Sequence, residues 1–232
     1  MKRRIDALIA KNKYKGYADY METIKQNADL LEEFVTYLTI NVSEFYRNPD
    51  QWRVLENDIL SNLIKTSPKT LKIWSAACST GDEPYSLAMV LSRFMPLHNI
   101  SILATDIDKQ VLEKAQLGLY SEKSIAGLPA EYKNKYFTLV GKNAYQVNEE
   151  IKKCVKFKQH DLLKDSYPTN CDLILCRNVL IYFTDEAKNT IYQKFNSSLR
   201  SGGVLFVGST EQIINYKSMN YMSHKSFFYE KN

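Results

Sequence analysis

The chain has 232 residues, 44% of them hydrophobic, enough to bury a full core, which argues against intrinsic disorder. Its longest apolar runs, such as Val179-Leu180-Ile181, are far short of a membrane span, and no apolar segment follows the N-terminal basic residues as in a secretory signal; a cytoplasmic protein without membrane insertion is expected. The formal charge is +5, and the whole excess lies in the first fifteen residues, where Lys2, Arg3, Arg4, Lys11, Lys13 and Lys15 stand against Asp6 alone. An acidic partner met by this end and a solvated helix face both fit that polarity.

Residues 1 to about 64 read as helices. Ile5, Leu8 and Ile9, then Tyr17, Tyr20, Met21 and Ile24, then Leu30, Leu31, Phe34, Val35 and Leu38 recur at three-and-four spacing, the period of an apolar helix face. Asn48-Pro49-Asp50-Gln51 has the chemistry of an N-cap, a proline at N1 and a glutamine at N3. It predicts a helix that buries Trp52, Leu55, Ile59 and Leu60 and ends at Ser67-Pro68.

After Pro68 the period changes. A strand over 71–76, a helix over 83–94, a strand over 100–105 and a helix from about 108 form a β-α-β-α alternation, which implies a parallel sheet with right-handed crossovers. Strand-like pieces at 136–140, 144–147 and 155–157 break the pattern and predict an inserted antiparallel hairpin or three-stranded flap leading back into the sheet. Alternation resumes with a strand over 173–176, a helix over 185–199, a strand over 204–207 and a terminal pair near 216–219 and 225–229. Cys78, Cys154, Cys171 and Cys176 form no C-x-x-C pair and read as small core residues, so no metal site is expected.

The most informative stretch is Trp74-Ser75-Ala76-Ala77-Cys78-Ser79-Thr80-Gly81-Asp82-Glu83-Pro84-Tyr85-Ser86. It passes from a buried strand through a small-residue turn into a helix, so a ligand can lie against bare backbone. No G-x-G-x-x-G or G-K-[ST] is present, and Asp82 and Glu83 stand where a phosphate would need positive potential. An adenosine without phosphates fits better. In open α/β sheets ligands bind beyond the carboxyl ends of the strands, with an acid after the second strand on the ribose. Asp106 holds that place, and Asp108 reads as the cap of the next helix. Asp161 and Leu162 are placed to meet the base, and Arg177-Asn178-Val179 follow the strand that faces the reacting end.

Five blocks together resemble the CheR family of chemotaxis receptor glutamate methyltransferases. They are Thr39-Ile40-Asn41-Val42-Ser43-Glu44-Phe45-Tyr46-Arg47, the stretch from Trp74 to Ser86, Ala104-Thr105-Asp106-Ile107-Asp108, Cys176-Arg177-Asn178-Val179-Leu180-Ile181-Tyr182-Phe183 and Gly208-Ser209-Thr210-Glu211. They occur in the family's order and cover nearly the whole chain. The resemblance implies an α/β fold with a Rossmann-like seven-stranded methyltransferase sheet over 49–232, a small N-terminal helical domain and linker over 1–48, and a β-subdomain inserted at about 119–158. It implies S-adenosylmethionine as methyl donor, S-adenosylhomocysteine as product, and the glutamates of methyl-accepting chemotaxis receptors as acceptors.

Carried over by motif, the cofactor contacts fall on Asn41, Ser43, Arg47, Glu83, Asp106, Asp161, Leu162, Asn178 and Val179, with Arg47 on the methionine carboxylate. Lys2, Arg3 and Arg4 would meet the acidic helices of the receptor bundle. Ser43 and Tyr46 replace the family's Thr and Phe, Asp82 replaces Glu, and Gly-Ser-Thr-Glu replaces Gly-His-Ser-Glu. The turn Gly141-Lys142-Asn143 lacks the insertion associated with members that grip a receptor peptide. A glutamate is already ionised at neutral pH, its pKa being about 4.3, so no general base is required, and the scattered His98, His160 and His224 suggest none. A monomer is expected, with no nucleic-acid partner because no basic stripe continues beyond the N-terminus. A donor-binding regulatory module without turnover and a methyltransferase for another substrate are the alternatives.

Overall fold

The computed structural model describes residues 2–38, 43–66 and 70–232, and the side chains of 2–4, 28, 32, 35, 36 and 38 lie outside that description. Asn41, the side chains of Lys2, Arg3, Arg4, Val35 and Leu38, and the expected helix end at Ser67-Pro68 therefore fall outside the described residues. The chain divides into two compact units, Met1–Val42 and Ser43–Asn232.

The first unit holds α1 (Lys2–Lys11), α2 (Tyr17–Gln26) and α3 (Ala28–Leu38). Leu8, Ile9, Tyr20 and Ile24 form its buried centre, with Tyr20 packed between the rings of Tyr14 and Phe34, 4.8 and 5.8 Å away. Asn27 starts α3 by accepting the N–H groups of Asp29 and Leu30 on its side-chain oxygen. The helical period overstates this core, because Tyr17, Met21 and Leu31 are exposed within it. Tyr17 lies at the start of its helix, where its hydroxyl donates to Asp6.

In the second unit α4 (Pro49–Val54), a π-helical turn (Leu55–Leu60) and α5 (Ser61–Thr66) run on without a break. Next come β1 (Ile73–Ala76), α6 (Asp82–Leu91), β2 (Ile102–Asp106), α7 (Lys109–Leu117), β3 (Leu119–Ser121), α8 (Ala130–Tyr136), β4 (Phe137–Val140) and β5 (Ala144–Val147). The chain continues through α9 (Glu149–Lys152), β6 (Val155–Gln159), β7 (Cys171–Cys176), α10 (Asp185–Ser198), β8 (Leu199–Val207), β9 (Tyr221–Lys225) and β10 (Phe228–Lys231). The main sheet has seven strands in the order β6-β2-β1-β7-β8-β10-β9. The first five are parallel, and β10 and β9 close the edge antiparallel.

Strands β1 and β7 are buried throughout, as centre strands covered on both faces must be. Their side chains alternate between two cores. Ile73, Leu173, Leu175 and Phe206 face the layer that includes Trp52, Leu55, Tyr85 and Leu87. Trp74, Ile174, Cys176 and Leu205 face that of Tyr192, Phe195 and Tyr229. All four cysteines are buried free thiols, as expected of core residues.

Several boundaries differ from the sequence reading for identifiable reasons. Asn48 takes the N-cap position with Pro49 at N1, as expected, but makes no side-chain cap: its backbone is left-handed (φ 61°), and its side-chain oxygen accepts from Arg177, which takes the side chain of Gln51 as well. The piece at 216–219 is a short helical turn, and the terminal pair is β9 with β10. The inserted sheet is three-stranded and antiparallel, in the order β3-β5-β4, and uses Leu119–Ser121 as its third strand. Residues 155–159 belong to the main sheet instead, paired with β2. Residues 43–48, grouped by sequence with the helical end, pack in the second unit. Phe45 donates its N–H to Ser124 and sets its ring edge-on to Tyr120 and Phe137 at 4.7 and 5.4 Å.

Candidate methyl-donor site

Register aligns the carboxyl ends of four parallel strands: Ala76 lies beside Thr105, Thr105 beside Lys158, and Ser75 beside Leu175. The next residues of each strand therefore emerge along one edge. The turn after β1 is built from left-handed backbone at Ala77 (φ 62°), Ser79 (φ 49°) and Gly81 (φ 89°). Gly81 has no alternative, since a Cβ there would meet that of Ala115 at 2.9 Å on a backbone that already disfavours side chains. Cys78 donates its N–H to the Thr105 carbonyl at 2.8 Å, fastening the turn to β2.

Asp106 ends β2 and is buried. One oxygen accepts the N–H of Ser79 at 2.8 Å and the other that of Asp108 at 3.1 Å. Burial raises its pKa above the usual carboxylate value, and the hydrogen bonds from Asp108 and Ser79 oppose that. Each oxygen retains a further acceptor site for a ligand hydroxyl. Asp108 caps α7 by accepting from Gln110 and Val111, as expected. The Ser79 hydroxyl is buried with no partner among the described residues. An orphaned polar atom in the very turn expected to cradle a ligand fits a site that a polar ligand completes.

Asp82 and Glu83 open α6 with separate tasks. Asp82 is buried and accepts from Thr80 at 2.6 Å; Ser43 also hydrogen-bonds it, and burial raises its carboxyl pKa against both bonds. Ser43 is thus attached to the turn, and the next residues follow: Tyr46 donates its N–H to Ser86 at 3.0 Å. Glu83 accepts from Ser75 at 2.9 Å and lies 3.5 Å from the Arg177 guanidinium. Burial raises its pKa, while Arg177 and Ser75 act in the opposite sense.

Arg177 itself is buried at the end of β7, and burial lowers its pKa while Glu83 supports its charge. It donates to the main-chain carbonyl of Arg47 at 2.9 Å, bringing Arg47 and Glu83 to one hub. Asn178 (φ 61°) and Val179 follow directly. Asp161 and Leu162 adjoin Asp106, because His160 donates its N–H to the Asp106 carbonyl at 2.9 Å. Asp161 accepts the Leu163 N–H at 2.8 Å, and Leu162 is buried with Trp74. Ser43, Arg47, Glu83, Asp106, Asp161, Leu162, Asn178 and Val179 thus lie along one sheet edge, while Asn41 and the side chains of Lys2, Arg3 and Arg4 lie outside the description.

Sequence reasoning passed over the side chains of Arg177 and Glu211. Glu211 accepts the N–H groups of Asn178, Leu180 and Gly208 at 2.5, 2.6 and 2.9 Å, tying the loop after β7 to that after β8. Its place in the Gly208–Glu211 block was the available signal. A cavity of about 330 Å³ beside it is lined by Leu180, Ile181, Lys188, Tyr192 and Ile214 among others. Among the described residues no His, Cys, Asp or Glu trio is grouped to hold a metal, and no helix is long and apolar enough to cross a membrane.

Five parallel strands closed by an antiparallel pair, with an acid-lined turn at the strand ends, form the architecture of an S-adenosylmethionine-dependent methyltransferase. Residues 41–228 match the family described as CheR methyltransferase, SAM binding domain, and the chain belongs to that family. It is 44% identical over 231 residues to the chemotaxis protein methyltransferase of Listeria monocytogenes, covering 100% of this chain and 88% of that one. It is 34% identical over 242 residues to the chemotaxis protein methyltransferase of Borreliella burgdorferi, covering 99% and 84%. Chemotaxis protein methyltransferase 1 of Pseudomonas aeruginosa is also 34% identical, over 223 residues, with 91% and 81% covered.

Proposed function

We propose that the protein methylates the side-chain carboxylates of glutamates in methyl-accepting chemotaxis receptors, leaving glutamate methyl esters and S-adenosylhomocysteine. The observation that carries this reading is the convergence of Ser43, Arg47, Glu83, Asp106, Asp161, Leu162, Asn178 and Val179 on one sheet edge around a turn suited to adenosine. The names of the relatives support an acceptor in chemotaxis.

In this reading Asp106 accepts the ribose hydroxyls, Leu162 lies against the base with Asp161 beside it, and Ser43, Asn178 and Val179 complete the enclosure. Arg47 holds the methionine carboxylate, for which a guanidinium fork is suited. Glu83 supplies the anion that the ammonium of the same amino-acid end needs. When bound, the donor supplies a methyl group on a positively charged sulfur. The acceptor carboxylate is ionised at neutral pH, so the protein has to align it and exclude water rather than deprotonate it. Such alignment contributes up to roughly 7–11 kcal/mol in favourable cases. His160 fits this account, being packed edge-on to Trp74 and Tyr167 at 5.4 and 5.5 Å as part of the core.

The basic residues Lys2, Arg3 and Arg4 would steer the acidic receptor helices toward the site. Incubation with labelled donor and receptor-bearing membranes tests the reading. Label in a base-labile ester on receptor supports it, and label on RNA added in parallel argues for another substrate.

A further inference from the structure

The Arg177 guanidinium bridges the main chain of Arg47 and the carboxylate of Glu83, the two residues assigned to the donor's amino-acid end. Its Nη2 donates to the Arg47 carbonyl at 2.9 Å, to Gln51 Oε1 at 2.9 Å and to Asn48 Oδ1 at 3.2 Å. Its Nη1 lies 3.5 Å from Glu83 Oε2. The flat face is held over the Phe206 ring at 4.5 Å, with Trp52 at 5.7 Å. Nε has no partner among the described residues, so the bonding is directed at 47–51 and Glu83.

The geometry has a chemical consequence. An amino-acid end is a zwitterion, and holding it takes a cation and an anion at a fixed separation. Here the cation, Arg47, precedes α4, and the anion, Glu83, opens α6, with α5 and β1 between them in the chain. Ser75 fixes one oxygen of Glu83 at 2.9 Å. What links the other oxygen to the main chain of Arg47 is one planar, forked group.

We propose that Arg177 is a positioning residue that sets the spacing between Arg47 and Glu83, and so adapts the site to the amino-acid end of the donor rather than to its adenosine. The proposal rests on the assignment of Arg47 and Glu83 given above. Arg177 leaves that end to those two residues and acts through its grip on the Arg47 main chain. A lysine would keep the charge but not the fork, so it cannot serve both sides at once.

The test is calorimetric binding of two ligands, S-adenosylhomocysteine and 5′-methylthioadenosine, the second of which lacks the amino-acid end. Arg177→Lys is expected to weaken S-adenosylhomocysteine about tenfold and to leave 5′-methylthioadenosine within about twofold of the parent value. Gln51→Met, which removes one Nη2 acceptor and keeps the cation, is expected to show the same selectivity to a smaller degree, and stands in if Arg177→Lys does not fold. The double variant Arg47→Ala/Arg177→Lys is expected to bind S-adenosylhomocysteine about as Arg47→Ala does, because the two act in series.

Equal weakening of both ligands would mean that Arg177 only supports the fold, and unchanged S-adenosylhomocysteine affinity would mean that it positions nothing; either overturns the proposal. Additive losses in the double variant overturn it as well. If instead Arg47→Ala alone leaves S-adenosylhomocysteine affinity intact, it is the assignment of Arg47 that fails.

Discussion

Glu211 holds Asn178 by its main chain: the carboxylate accepts the Asn178 N–H at 2.5 Å and, through its other oxygen, that of Leu180 at 2.6 Å. Asn178 has a left-handed backbone (φ 61°), a conformation that needs external support to persist. The Gly208 N–H joins the same carboxylate at 2.9 Å, and a Cβ on Gly208 would stand 2.4 Å from it. The two loops close on each other with no space for one more carbon.

Replacing Glu211 by Gln should leave at least one of these buried N–H groups facing an NH2, at a cost of about 1–3 kcal/mol. Gly208→Ala should cost a similar amount, about 1–3 kcal/mol, by overpacking. Urea unfolding reads both, and donor affinity should fall with Glu211→Gln because Asn178 is displaced. Unchanged unfolding midpoints would show that the carboxylate is dispensable.

Asp106→Ala should weaken the methyl donor and the demethylated product together, since both carry the ribose. The expected loss is about ten- to a hundredfold, the range for hydrogen bonds to a charged group. Calorimetry with both ligands measures it. Parent-like affinity would leave Asp106 as no more than an anchor for Ser79 and Asp108.

His160 gives a pH signature. Burial lowers its pKa below the ordinary 6.5, with Asp165 acting in the opposite direction. The unfolded chain therefore takes up a proton first as pH falls, and binds more protons than the folded state between the two pKa values. Stability rises with pH in that window and is lost as pH drops from about 6.5 through the folded value. His160→Phe should flatten this acid limb in thermal melts from pH 7 to 5. An unchanged limb would place the acid sensitivity elsewhere.

How far the site could be read from sequence depended on how local the interactions are. Asp108 capping Gln110 and Val111 is a contact within three residues, and spacing gave it away. The buried Trp52, Leu55, Ile59 and Leu60 followed from periodicity. Asn48 and Gln51 misled because the local capping pattern was real in composition, yet Arg177, 129 and 126 residues away, takes both side chains. Glu211 was equally opaque, its partners Asn178 and Leu180 lying 33 and 31 residues back. Strand β3 has only three residues, too few for an alternation to be seen.

Charge reversal at Lys2, Arg3 and Arg4 should slow methylation of receptors in proportion to lost steering, with the deficit shrinking at high salt and donor affinity unchanged. Stopped-time assays at two ionic strengths separate this from a plain solubility effect. A salt-independent rate equal to the parent's would assign these residues to a solvated face.

Mapping the modified atom decides whether a glutamate carboxylate is the acceptor. Receptors from the protein's own cell are incubated with it and isotope-labelled S-adenosylmethionine, digested, and sequenced by tandem mass spectrometry. The label is expected as a methyl ester on glutamate side chains, removed by mild base and reduced about ten- to a hundredfold when Asp106→Ala is used at limiting donor. Label on any other residue type, or tight donor binding with no transfer to receptor, would contradict it.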